Sequence, residues 1–145
     1  MFKLLKEYYS LNKEERKILN LTFIWLIIGF ILARLVPLKW FNNLLGEYKK
    51  EISVDLDENQ KQLILKFKQN NIKLKRRLPW KVKCFEEAIA AKKVLEKYHI
   101  KSTIYLGVAK KTEHKLIAHA WLKSGNLFIT GKKGHKKQAI VGFYS

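Results

Sequence analysis

Two residues of this chain could act together as a nucleophile and a base: the thiol of Cys84 and the imidazole of His119. Cys84 is the single cysteine among 145 residues, and it lies at the predicted start of a helix, just after a break imposed by Pro79. Unpaired N–H groups and the helix dipole favour an anion there, which favours the thiolate and could stabilise an oxyanion beside the sulfur. The alternative is a cysteine that serves as a small buried apolar residue.

His119 is the histidine best placed to be the base. It lies within an alternating segment, LIAHAWLKSG, in which His119 and Trp121 share one face of a strand. A helix that begins with cysteine, followed by a strand that carries histidine, is the arrangement used by Cys–His hydrolases. The other histidines fall at the far end of the helix, in a charged turn and in a basic loop: His99, His114 and His135.

The elements that would position this pair follow from hydrophobic periodicity. CFEEAIAAKKVLEKYHI repeats apolar residues at helical spacing, with Glu86 and Glu87 facing outward, and predicts a helix. TIYLGVA, KLIAHAWLK, NLFIT and AIVGFY then predict four short strands. An earlier helix, QKQLILKFKQ, is predicted to begin at a cap formed by Asp57, after a polar connector over 46–59. The order predicts an α+β fold with an antiparallel sheet.

The N-terminal third contains a long apolar helix. Residues 18–33 carry no charge and would rise about 24 Å, slightly less than a hydrocarbon core of about 30 Å. Counting on to Leu38, with Arg34 snorkelling, makes a span possible. A helix lying in the interface beside Trp40 and a helix packed on the domain are the alternatives. No small-x-small cleavage site follows, so we predict membrane contact through 18–38 rather than a cleaved signal.

The charge is strongly positive, with 30 Lys and Arg against 12 Asp and Glu, a net of +18. Such a field favours anionic partners: lipid headgroups, nucleic acid or an acidic peptide. Aromatic residues do not interleave with the basic runs, which argues against nucleic acid. The lone cysteine excludes an internal disulfide and fits a reducing compartment. Neither metal-ligand spacing nor a glycine-rich phosphate loop occurs, so we expect no metal and no cofactor.

Four stretches of the second half together resemble a known family. LPWKVKC, the helix ending in LEKYHI, the strand IYLGV and the segment AHAWLKSGNLFITG resemble the transglutaminase-like core of lasso-peptide biosynthesis B2 proteins. The resemblance is close over residues 75–145 and loose at the N-terminus. It implies a papain/transglutaminase-like core in 47–145, in which a nucleophile helix precedes an antiparallel sheet. A hydrophobic, membrane-associating helical segment would occupy 1–46.

The resemblance implies a leader peptidase that cuts a ribosomally made lasso-type precursor peptide. Cys84 would form the acyl-enzyme, His119 would act as acid and base, and Trp80 and Trp121 would wall the site. No cofactor is implied. The implied partners are the precursor leader, a leader-recognition protein and an asparagine-synthetase-like cyclase. The implied location is the cytoplasmic side of the membrane or the cytoplasm.

The chain departs from that family at the third catalytic member, because no acidic residue follows Glu113. A two-residue turn at 124–125 would place His119 opposite Thr130, whose hydroxyl could orient the imidazole. Asn126 could instead imitate the asparagine of papain-type triads. A backbone carbonyl, a weaker enzyme and a degenerate member remain alternatives, as does acyl transfer in place of hydrolysis. The alternative from another class is a non-enzymatic basic module that binds anionic membrane or nucleic acid.

Overall fold

The computed structural model describes residues 2–145 and has helices in its first two thirds and strands in its last third. The helices are α1 Phe2–Ser10, α2 Lys13–Leu35, α3 Leu38–Phe41, α4 Glu58–Lys75 and α5 Cys84–Lys97. The strands are β1 Thr103–Thr112, β2 Lys115–Ser124, β3 Leu127–Thr130 and β4 Ala139–Tyr144. Short 3-10 turns lie at Asn42–Leu45 and His135–Lys137. The predicted α+β fold is confirmed.

The four strands form one antiparallel sheet in the order β3-β2-β1-β4. Ile104 lies opposite Leu122, and the two are buried together with apolar residues of α5. The next pair along, Tyr105 opposite Trp121, points to the other face because strand side chains alternate. The sheet therefore has one face on the helical core and one aromatic face.

The core lies between α5, the sheet and the N-terminal helices. The predicted apolar stripe of α5 is confirmed, since Ala88, Ile89 and Leu95 are buried in a single cluster with Ile104 of β1. Helix α2 packs on α5 and, less extensively, on α4. Its four buried residues lie at helical spacing along one side of the helix: Ile18, Thr22, Leu26 and Gly29.

Helix starts agree with the capping residues in the sequence. The Oδ1 atom of Asn12 accepts a hydrogen bond from the Glu15 N–H at 2.8 Å, and Glu15 Oε2 accepts one from the Asn12 N–H at 3.1 Å. This reciprocal cap begins α2 and separates it from α1. Asp57 caps α4 as predicted, because its Oδ1 accepts from the Gln60 N–H at 2.8 Å.

The connector after the N-terminal helices covers the outer edge of β4. The Glu47 N–H donates to Ser145 O at 2.8 Å, and the Ser145 N–H donates back to Glu47 O at 3.1 Å. The Lys49 N–H donates to Phe143 O at 2.8 Å. At the opposite edge, β3 is only four residues long.

The register expected between β2 and β3 is wrong. Ser124 pairs with Leu127, so the turn consists of Gly125 and Asn126, and Gly125 has a left-handed φ of +59°. A bulge then shifts the ladder, and Thr130 pairs with Leu122 rather than with His119. The glycine sets the turn one residue later than the predicted position at 124–125, because it tolerates the positive φ.

Candidate active site

Cys84 is the first residue of α5 and is half-buried against the core, which confirms its predicted position at a helix start. The residue before it, Lys83, is the N-cap in extended conformation. Its backbone N–H donates to the Glu86 Oε2 atom at 3.2 Å. The free N–H groups of the first helical turn therefore lie beside the thiol, where they can stabilise negative charge.

Glu86 is buried, and the expectation that it faces outward is wrong. Its side chain is 0% exposed, and Arg34 of α2 donates from Nε to Glu86 Oε1 at 2.6 Å. Arg34 also donates from Nη2 to Lys81 O at 3.0 Å, and its guanidinium lies 4.3 Å from the Phe30 ring centroid. Arg34 thus pairs with the protein instead of snorkelling, and it ties α2 to the segment that precedes Cys84.

Trp80, predicted to wall the site, packs on α2. Its ring lies 4.9 Å from that of Phe30, centroid to centroid. Its Nε1 atom is buried without a hydrogen-bond partner among residues 2–145. The aromatic pair thus joins α2 to the segment that precedes Cys84. The predicted contact of Trp80 with substrate stays a prediction.

His119 is held by a backbone carbonyl. Its Nε2 atom lies 2.8 Å from Gly131 O, and because a carbonyl only accepts, Nε2 carries the proton in this arrangement. The lone pair of a neutral ring is then on Nδ1, which is free to act as a base. Gly131 has φ +71°, and a Cβ there would come within 2.7 Å of Trp121 Cβ, so only glycine fits.

Aromatic rings fix the other side of His119. Its ring stacks on Trp121 with centroids 5.9 Å apart, and Trp121 stacks on Tyr105 at 5.5 Å with 9° between the planes. The ring of His135 lies 6.0 Å from Trp121 and 4.5 Å from Phe128. His135 follows the two lysines of the basic loop, but its ring is half-buried in this stack.

The structure does not join the two predicted catalytic residues directly. His119 points to the aromatic face of the sheet, whereas Ala120 and Leu122 point to the face that packs on α5. Within residues 2–145, no hydrogen bond links Cys84 Sγ to His119. Their pairing stays a prediction, and it requires the thiol to approach the Nδ1 side of the ring.

Neither predicted third member contacts His119. Thr130 Oγ1 is buried without a partner in the described part of the chain, and it faces a cavity of about 250 Å³ that Asn71 and Lys132 also line. Asn126 is exposed in the turn between β2 and β3. The Gly131 carbonyl occupies the orienting position instead. A backbone carbonyl has no signature in the sequence. The only signal that could have predicted it is a glycine directly after a strand that pairs with the strand carrying the histidine.

Residues 2–145 contain no group of three or more His, Cys, Asp or Glu side chains that could hold a metal ion. A family model described as the transglutaminase-like superfamily matches residues 32–141, about three quarters of the chain. The chain therefore belongs to the transglutaminase-like superfamily, whose fold is used by cysteine peptidases and acyl transferases. Comparison with curated proteins and with solved structures gave no match.

Proposed function

We propose that this protein is a cysteine peptidase that removes the leader from a ribosomally made, lasso-type precursor peptide. The observation that carries the proposal is the fixed imidazole of His119, whose Nε2 is held by Gly131 O and whose Nδ1 is left as a base. Cys84 at the start of α5, in a chain of this superfamily, supplies the nucleophile. The motifs LPWKVKC and AHAWLKSG support the narrower assignment to lasso-peptide B2 proteins.

The first half of the proposed reaction forms an acyl-enzyme. The Cys84 thiol must first approach Nδ1 of His119, a contact that the structure does not hold. His119 then takes the thiol proton at Nδ1, and the Cys84 thiolate attacks the carbonyl carbon of the scissile peptide bond. The resulting oxyanion lies beside the N–H groups of the first turn of α5, which stabilise it. The imidazolium then protonates the leaving amine as the C–N bond breaks. The released amine is the new N-terminus of the core peptide, the group that a cyclase would join to a side-chain carboxylate.

The second half returns the enzyme to its starting state. His119 takes a proton from water, the resulting hydroxide attacks the thioester carbon, and the C–S bond breaks to release the leader as an acid and Cys84 as thiolate. The thiolate then takes the proton from His119, which restores the thiol and the neutral imidazole. Trp121 limits water at the ring face by stacking on His119. Replacing water with an amine would give acyl transfer by the same steps, so solvent access at this point decides between the two reactions.

The neutral carbonyl of Gly131 should make both steps of the proposed reaction slower than a carboxylate would. It orients the ring as a carboxylate would, but it carries no full negative charge to stabilise the imidazolium that forms in both steps. We therefore propose a slow enzyme that depends on its partners to deliver substrate. Those partners are the precursor leader, a leader-recognition protein and an asparagine-synthetase-like cyclase, with the protein at the cytoplasmic face of the membrane. The +18 net charge suits an acidic leader or partner.

The proposal is tested by the reactivity of Cys84 together with cleavage of a precursor. A free thiol is only about 1% thiolate at pH 6.5, so a histidine partner should speed alkylation by iodoacetamide at that pH. We expect His119→Ala to slow alkylation about tenfold or more and to abolish cleavage of a lasso-type precursor, measured by mass spectrometry. The matched control is His114→Ala, which removes an exposed histidine from the turn between β1 and β2.

The outcomes separate the peptidase from its competitors. Equal alkylation rates in the wild type and both variants would leave Cys84 as a structural cysteine, and binding to anionic lipid and nucleic acid would then be measured instead. If alkylation of Cys84 is fast and depends on His119 but the precursor stays intact, the protein would be an acyl transferase or would act on a different peptide substrate. Cleavage that survives Cys84→Ala would refute the mechanism.

A further inference from the structure

Helix α2 has an uncovered apolar face on the side opposite its packing with α5. The residues that pack on the domain fall along one stripe, and Ile24, Ile31 and Leu35 lie about half a turn away from that stripe. These three side chains are between 44% and 73% exposed. Exposed apolar patches of this kind on one helix mark an interaction site.

Apolar residues at both ends extend this face. Trp40 in α3 is 73% exposed, just beyond the end of α2. Helix α1 has no buried residue among those described, and Phe2, Leu5 and Tyr9 are exposed at helical spacing. We call the exposed apolar residues of α1, α2 and α3 the N-terminal apolar surface.

Basic residues bracket the apolar part of α2. Lys17 lies on the same helical stripe as Ile24 and Ile31, since each is seven residues from the next. Lys39 follows at the other end, directly before Trp40. Apolar side chains flanked by lysine and by an amphipathic indole are the pattern of helices that lie at a lipid–water interface.

The packing of α2 distinguishes between two orientations, a helix that lies in the membrane plane and a helix that crosses the bilayer. The outward apolar stripe from Ile24 to Leu35 is about 17 Å long, against about 30 Å of hydrocarbon. A crossing helix would be surrounded by lipid, so α2 would have to leave α5. That would expose its buried stripe and would remove Arg34 from the wholly buried Glu86 carboxylate. Only an in-plane helix keeps this pairing.

We propose that the N-terminal apolar surface docks in the plane of a membrane that contains anionic lipids. A second copy of the chain would also cover apolar residues, but it would bring two molecules of +18 net charge together, whereas anionic headgroups attract that charge. The proposal does not depend on the catalytic role of Cys84. It places the N-terminal helices at the headgroups and leaves α5 and the sheet in the aqueous phase.

The test is co-sedimentation of the full chain with vesicles of phosphatidylcholine alone or with added phosphatidylglycerol. We expect binding to the anionic vesicles that weakens with salt, and about tenfold or greater weakening in Ile24→Ser/Ile31→Ser. The matched control is Ile140→Ser/Val141→Ser, because both residues are comparably exposed on β4 at the edge of the sheet. The control should bind like the wild type.

Four results would overturn the proposal. One is wild-type binding that the α2 variant leaves unchanged, and a second is the absence of binding to either vesicle. Another is protein that alkaline carbonate fails to extract from anionic membranes, which would indicate a crossing helix. The last is a dimer in solution that the α2 variant dissociates while vesicle binding is absent, which would make a second copy the occupant.

Discussion

The buried ion pair between Arg34 and Glu86 makes a sharp prediction for stability. Arg34→Ala removes the 2.6 Å donor from Glu86 Oε1 and leaves the carboxylate, 0% exposed, with only the 3.2 Å hydrogen bond from the Lys83 N–H. Breaking a buried pair in this way costs about 3–5 kcal/mol. The Arg34 side chain is 28% exposed, so water can reach the vacated space and the lower end applies.

The expected total follows from two contacts. Loss of the cation–π contact with Phe30, at 4.3 Å, adds about 0.5–1 kcal/mol. We expect Arg34→Ala to lower the free energy of unfolding by about 3–4 kcal/mol in urea titrations followed by circular dichroism. The double variant Arg34→Met/Glu86→Leu should recover most of that loss, because it removes both charges from the interior.

A second ion pair with the same length provides the control. Arg77 Nη2 lies 2.6 Å from Glu7 Oε2, but both side chains are half-exposed and solvent screens them. The reasoning fails if Arg34→Ala costs no more than Arg77→Ala, since burial would then contribute nothing. It also fails if the double variant is as unstable as the single one, which would assign the loss to packing and not to an unpaired carboxylate.

Other perturbations test the remaining features. Burial lowers the pKa of the Lys92 ammonium to about 8. Between about pH 8 and 10.5 the unfolded chain therefore binds one more proton than the folded chain. The free energy of unfolding of the wild type, relative to that of Lys92→Met, should rise across that interval in urea titrations. Gly131→Ala should cost more than the about 1–2 kcal/mol of a left-handed backbone, because its Cβ would also clash with Ala120 O and Trp121 Cβ, and it should slow precursor cleavage by moving the carbonyl from His119. Gly134→Ala, also at positive φ but with nothing within 4 Å, should leave cleavage unchanged. Asp57→Ala should lower the urea-unfolding free energy by about 1 kcal/mol through loss of the α4 cap.

Local patterns predicted the elements well because each depends on neighbours in the sequence. The stripe of α5 and the alternation in β1 and β2 both follow from burial of one face, and the structure confirms them. The cap at Asp57 follows from its side chain and that of Gln60 three residues later. Periodicity and capping are properties that a segment carries by itself.

The contacts between segments far apart in the chain could not be predicted from the sequence. Arg34 and Glu86 are 52 residues apart, and a glutamate in a first helical turn looks solvated until a second helix covers it. The turn at Gly125 and Asn126, one residue later than expected, moved Thr130 away from His119, and the bulge between Leu122 and Lys123 moved it one residue further, because one turn residue decides every pair beyond it. The Gly131 acceptor is a backbone group, so its identity depended on where the chain turned.

The sheet is built so that its edges offer little to another chain. The connector over residues 47–49 fills the β4 ladder with its own hydrogen bonds. Strand β3 ends after four residues at Thr130, just before the segment GKKGHKK, which contains four lysines. Long unpaired edges promote ordered aggregation, and short, covered or cationic ones discourage it. A concentrated preparation should therefore form no cross-β fibrils, and thioflavin fluorescence should remain low as the protein concentration is raised.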